Sequence, residues 1–168
     1  MTSSITTRRF WTVLLAIAGL SLIWRIAFIL VWRDGIFIWG DAYFYHESGR
    51  QLAEGVGWVN PLEYNIDGTK TPAADHPPLY ILFLGFWSWI GLPGPTAHMI
   101  VTAIFISTPM VIMTALAARE FGGRRLGLIA GGLAAVYPNI WSWDGTILSE
   151  ILAMLFLSTT VYVVYRFW

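Results

Sequence analysis

From Phe10 to Trp32 the chain is apolar apart from Thr12, Ser21 and one charge, Arg25. A helix that crosses a bilayer needs about 20 mostly apolar residues, and this run supplies them. Four further apolar runs follow, at 79–92, 97–118, 126–143 and 147–165. The run at 79–92 is short and rich in Trp and Phe. Between the first run and the second lies one long polar interruption, 33–78. The pattern predicts an all-α membrane protein, a polytopic bundle of about five transmembrane helices forming a single domain over 1–168. Gly127, Gly131 and Gly132 in the fourth run suit close helix approach, because lipid provides no hydrophobic drive and small residues let backbones pack. Pro109 and Pro138 fall inside or near span ends, where neighbouring helices absorb a kink. Tryptophans 11, 32, 39, 87, 89, 141, 143 and 168 fall mainly near span ends, as an aromatic belt does.

Inside the interruption, Ala42–Glu54 reads as a short amphipathic helix. Asp41 is placed to cap its free amides. Glu47/Arg50 and Arg50/Glu54 are spaced to pair on a solvated face. Gly55 and Gly57 suit its end. Phe44, Tyr45, Leu52 and Val56 are expected to rest on the membrane interface. Asn60-Pro61 and Asp67-Gly68 mark turns, and His76-Pro77-Pro78 opens the second apolar run.

Composition supports lipid as the solvent. The chain is 57% hydrophobic and 12% charged, against roughly 25% charged in an average soluble domain. It has no cysteine, which excludes disulfides, thiolate metal sites and cysteine nucleophiles. No basic patch suggests nucleic acid. Net charge is zero, yet the signs are segregated. The segment 33–78 holds seven of the ten acidic residues and three basic ones, a net −4, and the rest of the chain carries +4.

Arg8 and Arg9 precede the first span, which predicts a cytoplasmic N-terminus, an extracytoplasmic loop over 33–78 and residence in the plasma (inner) membrane. The first apolar run is too long for a signal peptide and has no Ala-x-Ala exit, so it reads as an uncleaved anchor. Five simple crossings would put Arg119, Arg124 and Arg125 outside, against the positive-inside preference. Either 79–92 does not fully cross, or those arginines meet an anionic headgroup.

Several residues carry candidate chemistry. Asp41, just beyond the first span, can act as general base on an acceptor hydroxyl or serve as a plain helix cap. His46, Asp75 and His76 can join it around a divalent cation, with Asp41 and His46 as the metal candidates. Arg25 lies at membrane depth, where a charge needs a partner; it can snorkel outward to Asp41 or a phosphate. Glu150, with Asp144 just before it, either complements a helix dipole or lines the same polar cavity. Arg119, Arg124 and Arg125 form either a cytoplasmic anchor or a clamp on a lipid phosphate.

In order, these features resemble a family. An arginine in the first span is followed by Gly40-Asp41-Ala42-Tyr43-Phe44-Tyr45, then Leu52-Ala53-Glu54-Gly55-Val56-Gly57 and His76-Pro77-Pro78-Leu79-Tyr80. Arg119-Glu120-Phe121-Gly122-Gly123-Arg124-Arg125-Leu126-Gly127, Tyr137-Pro138 and Ser149-Glu150 complete the series. The series is similar to the N-terminal part of the polytopic GT-C glycosyltransferases, in the branch of polyprenyl-phosphate-dependent protein mannosyltransferases and aminoarabinose transferases. The resemblance implies a lipid-linked sugar donor, inverting transfer to an extracytoplasmic hydroxyl, and Asp41 as the catalytic acid residue. It implies substrate contacts at Arg25, Tyr43, His46, His76, Glu150, Arg124 and Arg125. The family often has an acidic pair where this chain has Asp41-Ala42. Family members have many more spans, so the chain is expected to be part of a larger module. A possible divalent metal, membrane lipids and remaining helices or a second subunit are the implied companions. Two other readings stand beside this one. A non-catalytic membrane module would bind a lipid-linked sugar or a partner subunit. A small transporter would place charges at the midplane and show repeats, and no repeat is visible.

Overall fold

A computed structural model describes residues 5–32 and 39–168. The described residues are helical, with one isolated antiparallel bridge between Val59 and Pro72. The first six residues of the polar loop, 33–38, lie outside them. In chain order the helices are α1 (Thr7–Trp32), α2 (Asp41–Ala53), α3 (Pro61–Asp67), α4 (Pro78–Trp89) and α5 (Pro95–Thr102). A π-helical turn, Ala103–Ser107, then leads into α6 (Thr108–Val136). After it come α7 (Pro138–Trp141), a 3₁₀ turn (Ser142–Gly145) and α8 (Glu150–Phe167).

Three stretches are long and apolar enough to cross a membrane: Thr7–Val31, Pro95–Val136 and Glu150–Phe167. The middle one is 42 residues long, about twice what a bilayer needs. It is not straight. Gly122 and Gly123 leave helical geometry, and Gly123 has φ of 74°, a conformation that costs glycine little. Beyond the break the chain folds back on itself. A Cβ placed on Gly127 would lie 2.7 Å from the Ala115 carbonyl oxygen, and one on Gly131 would lie 2.9 Å from Ala115 Cβ. Along a straight helix those pairs would be about 18 Å or more apart at 1.5 Å per residue. The sequence expectation of separate runs at 97–118 and 126–143 therefore survives as two arms of one helical hairpin. The second arm ends at Val136, earlier than expected, because Pro138 cannot continue the ladder.

The expected span at 79–92 has a different outcome. Helix α4 has 12 residues, about 18 Å at the helical rise against a hydrocarbon core of about 30 Å. It begins and ends against the same part of α5. Tyr80 Oη bonds Thr102 Oγ1 at 3.0 Å, and Ser88 Oγ bonds His98 Nε2 at 2.9 Å; His98 and Thr102 are one turn apart. Its long partner is α2, while Leu79, Leu82, Phe86 and Trp89 stay exposed on its other side. Where they cross, a Cβ on Gly49 would meet Leu84 Cβ at 2.8 Å and Gly85 N at 3.2 Å. Gly49→Val is expected to cost about 1–3 kcal/mol by overpacking this crossing. Thermal unfolding in detergent would read it, and an unchanged midpoint would mean that α2 and α4 do not meet here.

That crossing corrects the reading of α2 as a helix resting on the membrane interface. Ala42, Tyr45, His46, Ser48, Gly49 and Gln51 are buried, and Phe44 and Leu52 pack on the main core. The core itself joins Ile29, Tyr80, Leu84, Met99, Ile106, Met110, Val111, Ile147 and Ile151. A smaller cluster of Phe10, Leu14, Ala115 and Leu116 closes the other end.

Charge sorts along the bundle. At the N-terminal end of α1, Arg124 donates to the Ile5 carbonyl at 2.6 Å and to Thr7 Oγ1 at 2.7 Å. Arg119 lies over the Phe10 ring at 5.5 Å, and Phe121 meets Tyr165 at 3.9 Å. These contacts gather Arg8, Arg9, Arg119, Arg124, Arg125 and Arg166 at one end. At the opposite end α2 is tied to α8 through Tyr45 Oη and Ser149 Oγ, 2.8 Å apart, and to α5 through His46 and His98. The chain has thus returned to the N-terminal end of α1 by the time it reaches Arg119–Arg125.

Candidate functional site

Asp41 stands at the acidic end. Sequence reasoning makes it the N-cap of its helix, but Gly40 takes that position, with φ of 59°, and no side chain caps the helix. Asp41 is instead the first helical residue, and its carboxylate is 68% exposed and free of capping. Its described partner is His76, whose Nε2 lies 3.2 Å from Asp41 Oδ1. The His76 ring is fixed from two sides. It stacks on Phe44 at 4.0 Å and meets the edge of Tyr45 at 4.9 Å. Nε2 faces the carboxylate, and Nδ1 is buried with no hydrogen-bond partner among the described residues.

Beside this pair is a cleft of about 340 Å³. Trp39, Gly40, Tyr43 and Phe44 form one wall, and Asn60, Pro61, Leu62, Asp75 and His76 the other. Asp41 does not line it, so His76 is the link between carboxylate and cleft. Asn60 holds the second wall in place by capping α3, its Oδ1 accepting from the Leu62 and Glu63 amides. Tyr43 Oη accepts from Asn65 Nδ2 at 2.8 Å.

On its other side the pair touches α8. Tyr45 joins His76 to Ser149, and Glu150 follows at the head of α8 with its side chain exposed. Burial raises the pKa of the Tyr45 phenol, and the nearby charges of Glu150 and Asp41 add to it, so the phenol stays protonated at neutral pH. Glu150 thus belongs to the same end as Asp41. Five simple crossings would have put it at the opposite face.

Arg25 behaves differently from the sequence expectation. It does not snorkel to Asp41. Its Nη1 donates to Asp144 Oδ2, both side chains are fully buried, and Nε donates to Ser21 Oγ at 3.0 Å. Ser107 donates to the other Asp144 oxygen. Arg25 Nη2 is buried without a partner. The charge is compensated internally, so this arginine is part of the frame beneath the site. Tyr80 meets the Tyr45 edge at 5.2 Å and bonds Thr102, which shares a helical stretch with Ser107.

His46 is also set apart from Asp41. Its Nδ1 faces His98 Nδ1 at 3.0 Å, one ring donating and the other accepting, and its Nε2 lies 3.6 Å from Glu47. Asp41 and His46 are therefore not brought together as metal ligands. Among the described residues no group of three or more His, Cys, Asp or Glu is gathered to hold a metal ion. Burial lowers the His46 pKa from its ordinary 6.5, with Arg50 adding to this and Glu47 opposing it. Burial works to raise the Glu47 carboxyl, but hydrogen bonds from Arg50 and Asn65 outweigh it and leave the net shift downward. For His46 the unfolded chain binds the proton more readily than the folded one. The contribution of His46 to α2 docking is expected to be full above 6.5 and to weaken as pH falls below it. Hydrogen exchange of α2 amides at pH 7.5 and 5.5 would read this, and His46→Gln should flatten the difference.

Arg124 and Arg125 lie at the far end, remote from Asp41; Arg124 holds the start of α1. Sequence reasoning passed over His98, Ser107 and the pairing of Arg25 with Asp144. A signal for the pairing was present: outside 33–78 the acids are only Glu120, Asp144 and Glu150, and Glu120 sits beside Arg119.

The fold and site define a class: an all-helical chain with three stretches able to cross a membrane and an acidic, aromatic-walled cleft at one end. Beyond that class, no family model, no curated protein and no solved structure matches the chain.

Proposed function

We propose that this chain is a multi-pass membrane glycosyltransferase, or the N-terminal part of one, that uses a polyprenyl-phosphate-linked sugar. The observation that carries the reading is Asp41: exposed, uncapped, and held by His76, which itself lines an aromatic-walled cleft. Asp41 takes the proton of an acceptor hydroxyl. The oxygen attacks the anomeric carbon in line, and the bond to the phosphate breaks with its electron pair leaving on the phosphate. A single carboxylate suffices for this displacement, because a phosphate leaves as a stable anion without the general acid that a sugar alcohol leaving group needs, and no covalent sugar–enzyme intermediate forms.

The spans that fit this reading number four rather than five. They are α1, the arm Pro95–Phe121, the return arm from Arg124 through α7, which runs beside α1 from Ile5 to Phe28 and so covers the thickness that α4 does not, and α8, with α4 packed beside α2 at the outer end. The six clustered arginines then face the cytoplasm together with the N-terminus, as the positive-inside preference asks, in a plasma (inner) membrane. Asp41, Glu150 and the cleft face outward. Single cysteines at Thr69 and Gly122 test this cleanly, since the chain has no native cysteine. Position 69 should react with an impermeant thiol reagent in intact cells, and position 122 only after permeabilisation. Labelling of position 122 from outside would rule the topology out. Transfer itself is tested with a radiolabelled polyprenyl-phosphate sugar and the protein in liposomes, comparing the wild type with Asp41→Asn. A module that binds a lipid-linked sugar without transferring it is the second reading, favoured by the lone Asp41 where a pair of acids is the familiar pattern.

A further inference from the structure

The cleft beside Asp41 has a chemistry that proton abstraction alone does not require. Two aromatic side chains of one wall, Tyr43 and Phe44, give it apolar surface, which suits the flat C–H face of a ring. Around that surface, donors and acceptors alternate. Tyr43 Oη accepts from Asn65, so its own hydrogen is left to donate. The Asn60 oxygen is occupied by two backbone amides, while its Nδ2 has no hydrogen bond within the described protein and is left to donate. Asp75 supplies an acceptor on the same wall. A ring bearing several hydroxyls matches this arrangement, because each hydroxyl both gives and takes a hydrogen bond. Charge narrows the choice. Asp75 and Asp41 lie beside a single histidine, in a segment of net charge −4, so a phosphate or carboxylate on the acceptor would be repelled.

We infer that the cleft is an acceptor subsite for an uncharged sugar ring, which rests on the reading of Asp41 as general base. The ring stacks on the aromatic wall, bonds Tyr43, Asn60 and Asp75, and presents one hydroxyl to the Asp41–His76 pair. That hydroxyl's proton passes to the Asp41 carboxylate, a new bond forms from its oxygen to the donor's anomeric carbon, and the donor's bond to phosphate breaks. The product of this step is a lengthened glycan rather than a glycosylated serine or threonine.

The test is saturation-transfer NMR on the full chain in detergent micelles. The probes are methyl hexosides, a methyl glucuronide, a hexose 6-phosphate and a blocked Ser/Thr peptide. Methyl hexosides should bind, and the glucuronide, the phosphate and the peptide should not. Two gentle variants should each weaken hexoside binding at least about 5-fold, the loss of one hydrogen bond. Tyr43→Phe keeps the wall and removes the donor. Asn60→Asp keeps the capping oxygen and removes the amide. Binding of the peptide but not of hexosides would overturn the inference, and so would hexoside binding untouched by both cleft variants. Failure of the underlying base reading is separate: it would show as full sugar transfer by Asp41→Asn, whatever the binding data say.

Discussion

Asp41→Asn is expected to lower sugar transfer by about 100- to 10,000-fold, the usual reach of one general base. The substitution isolates basicity. Asparagine keeps an oxygen where Asp41 Oδ1 accepts from His76 at 3.2 Å, so the ring and the cleft wall stay where they are. The side chain is 68% exposed and caps nothing, so stability should move by no more than about 0.5 kcal/mol. His76→Ala is the informative companion. It leaves the carboxylate but releases its orientation, and a misplaced catalytic group costs about 100-fold. The loss should fall on kcat more than on KM, since His76 acts on Asp41 rather than on binding alone. Transfer at the wild-type rate in Asp41→Asn would sink the catalytic role assigned to this residue.

The second large effect lies below the site. Asp144→Ala would leave Arg25 fully buried and uncompensated, and removing one member of a buried ion pair costs about 3–5 kcal/mol. The Ser107 hydroxyl and the Ser21–Arg25 bond would lose their common frame as well. Replacing both charges, as Arg25→Met with Asp144→Leu, should recover much of that loss, because a buried ion pair and a packed apolar pair are often close in stability. A double-mutant cycle on thermal unfolding in detergent measures the coupling. If Asp144→Ala alone costs less than about 1 kcal/mol, Arg25 has another partner and the pair is not the frame. Transfer should fall in the single variant too, since Thr102, which bonds Tyr80, and Ser107, which bonds Asp144, lie on one helical stretch.

How much of this was legible beforehand differs from element to element. The long apolar helices were, because hydropathy over about 20 residues is a local property. The helix over α2 was also legible, to within a residue at each end. The run at 79–92 forms a helix too short to cross alone, because apolar content shows that a helix avoids water, not whether lipid or another helix covers it. Gly49 and Gly85, which let α2 and α4 meet, are unremarkable in the sequence and matter only at the crossing. At the site, Asp41 was nameable from its position beyond the first span, but its role as a cap was wrong, since Gly40 adopts a backbone geometry that ends the helix one residue earlier. His46 looked equivalent to His76 as a ligand. Their difference lies in which neighbour each ring faces.

By itself the sequence determined which stretches avoid water, where its long helices run, and that its acids gather in one segment; it left open the end to which Arg119, Arg124 and Arg125 belong. Those are properties of composition and of short-range order, and they do not depend on which helix packs beside which. Tertiary structure alone decided the partners. It joined Arg25 to Asp144 across 119 residues, His46 to His98, and Asp41 to His76, and it folded the arms of α6 together at Gly127 and Ala115. The physical reason is that a buried charge or an imidazole is satisfied by whichever group the packing brings within about 3 Å, and that distance is set by close helix approach, which separation along the chain does not encode.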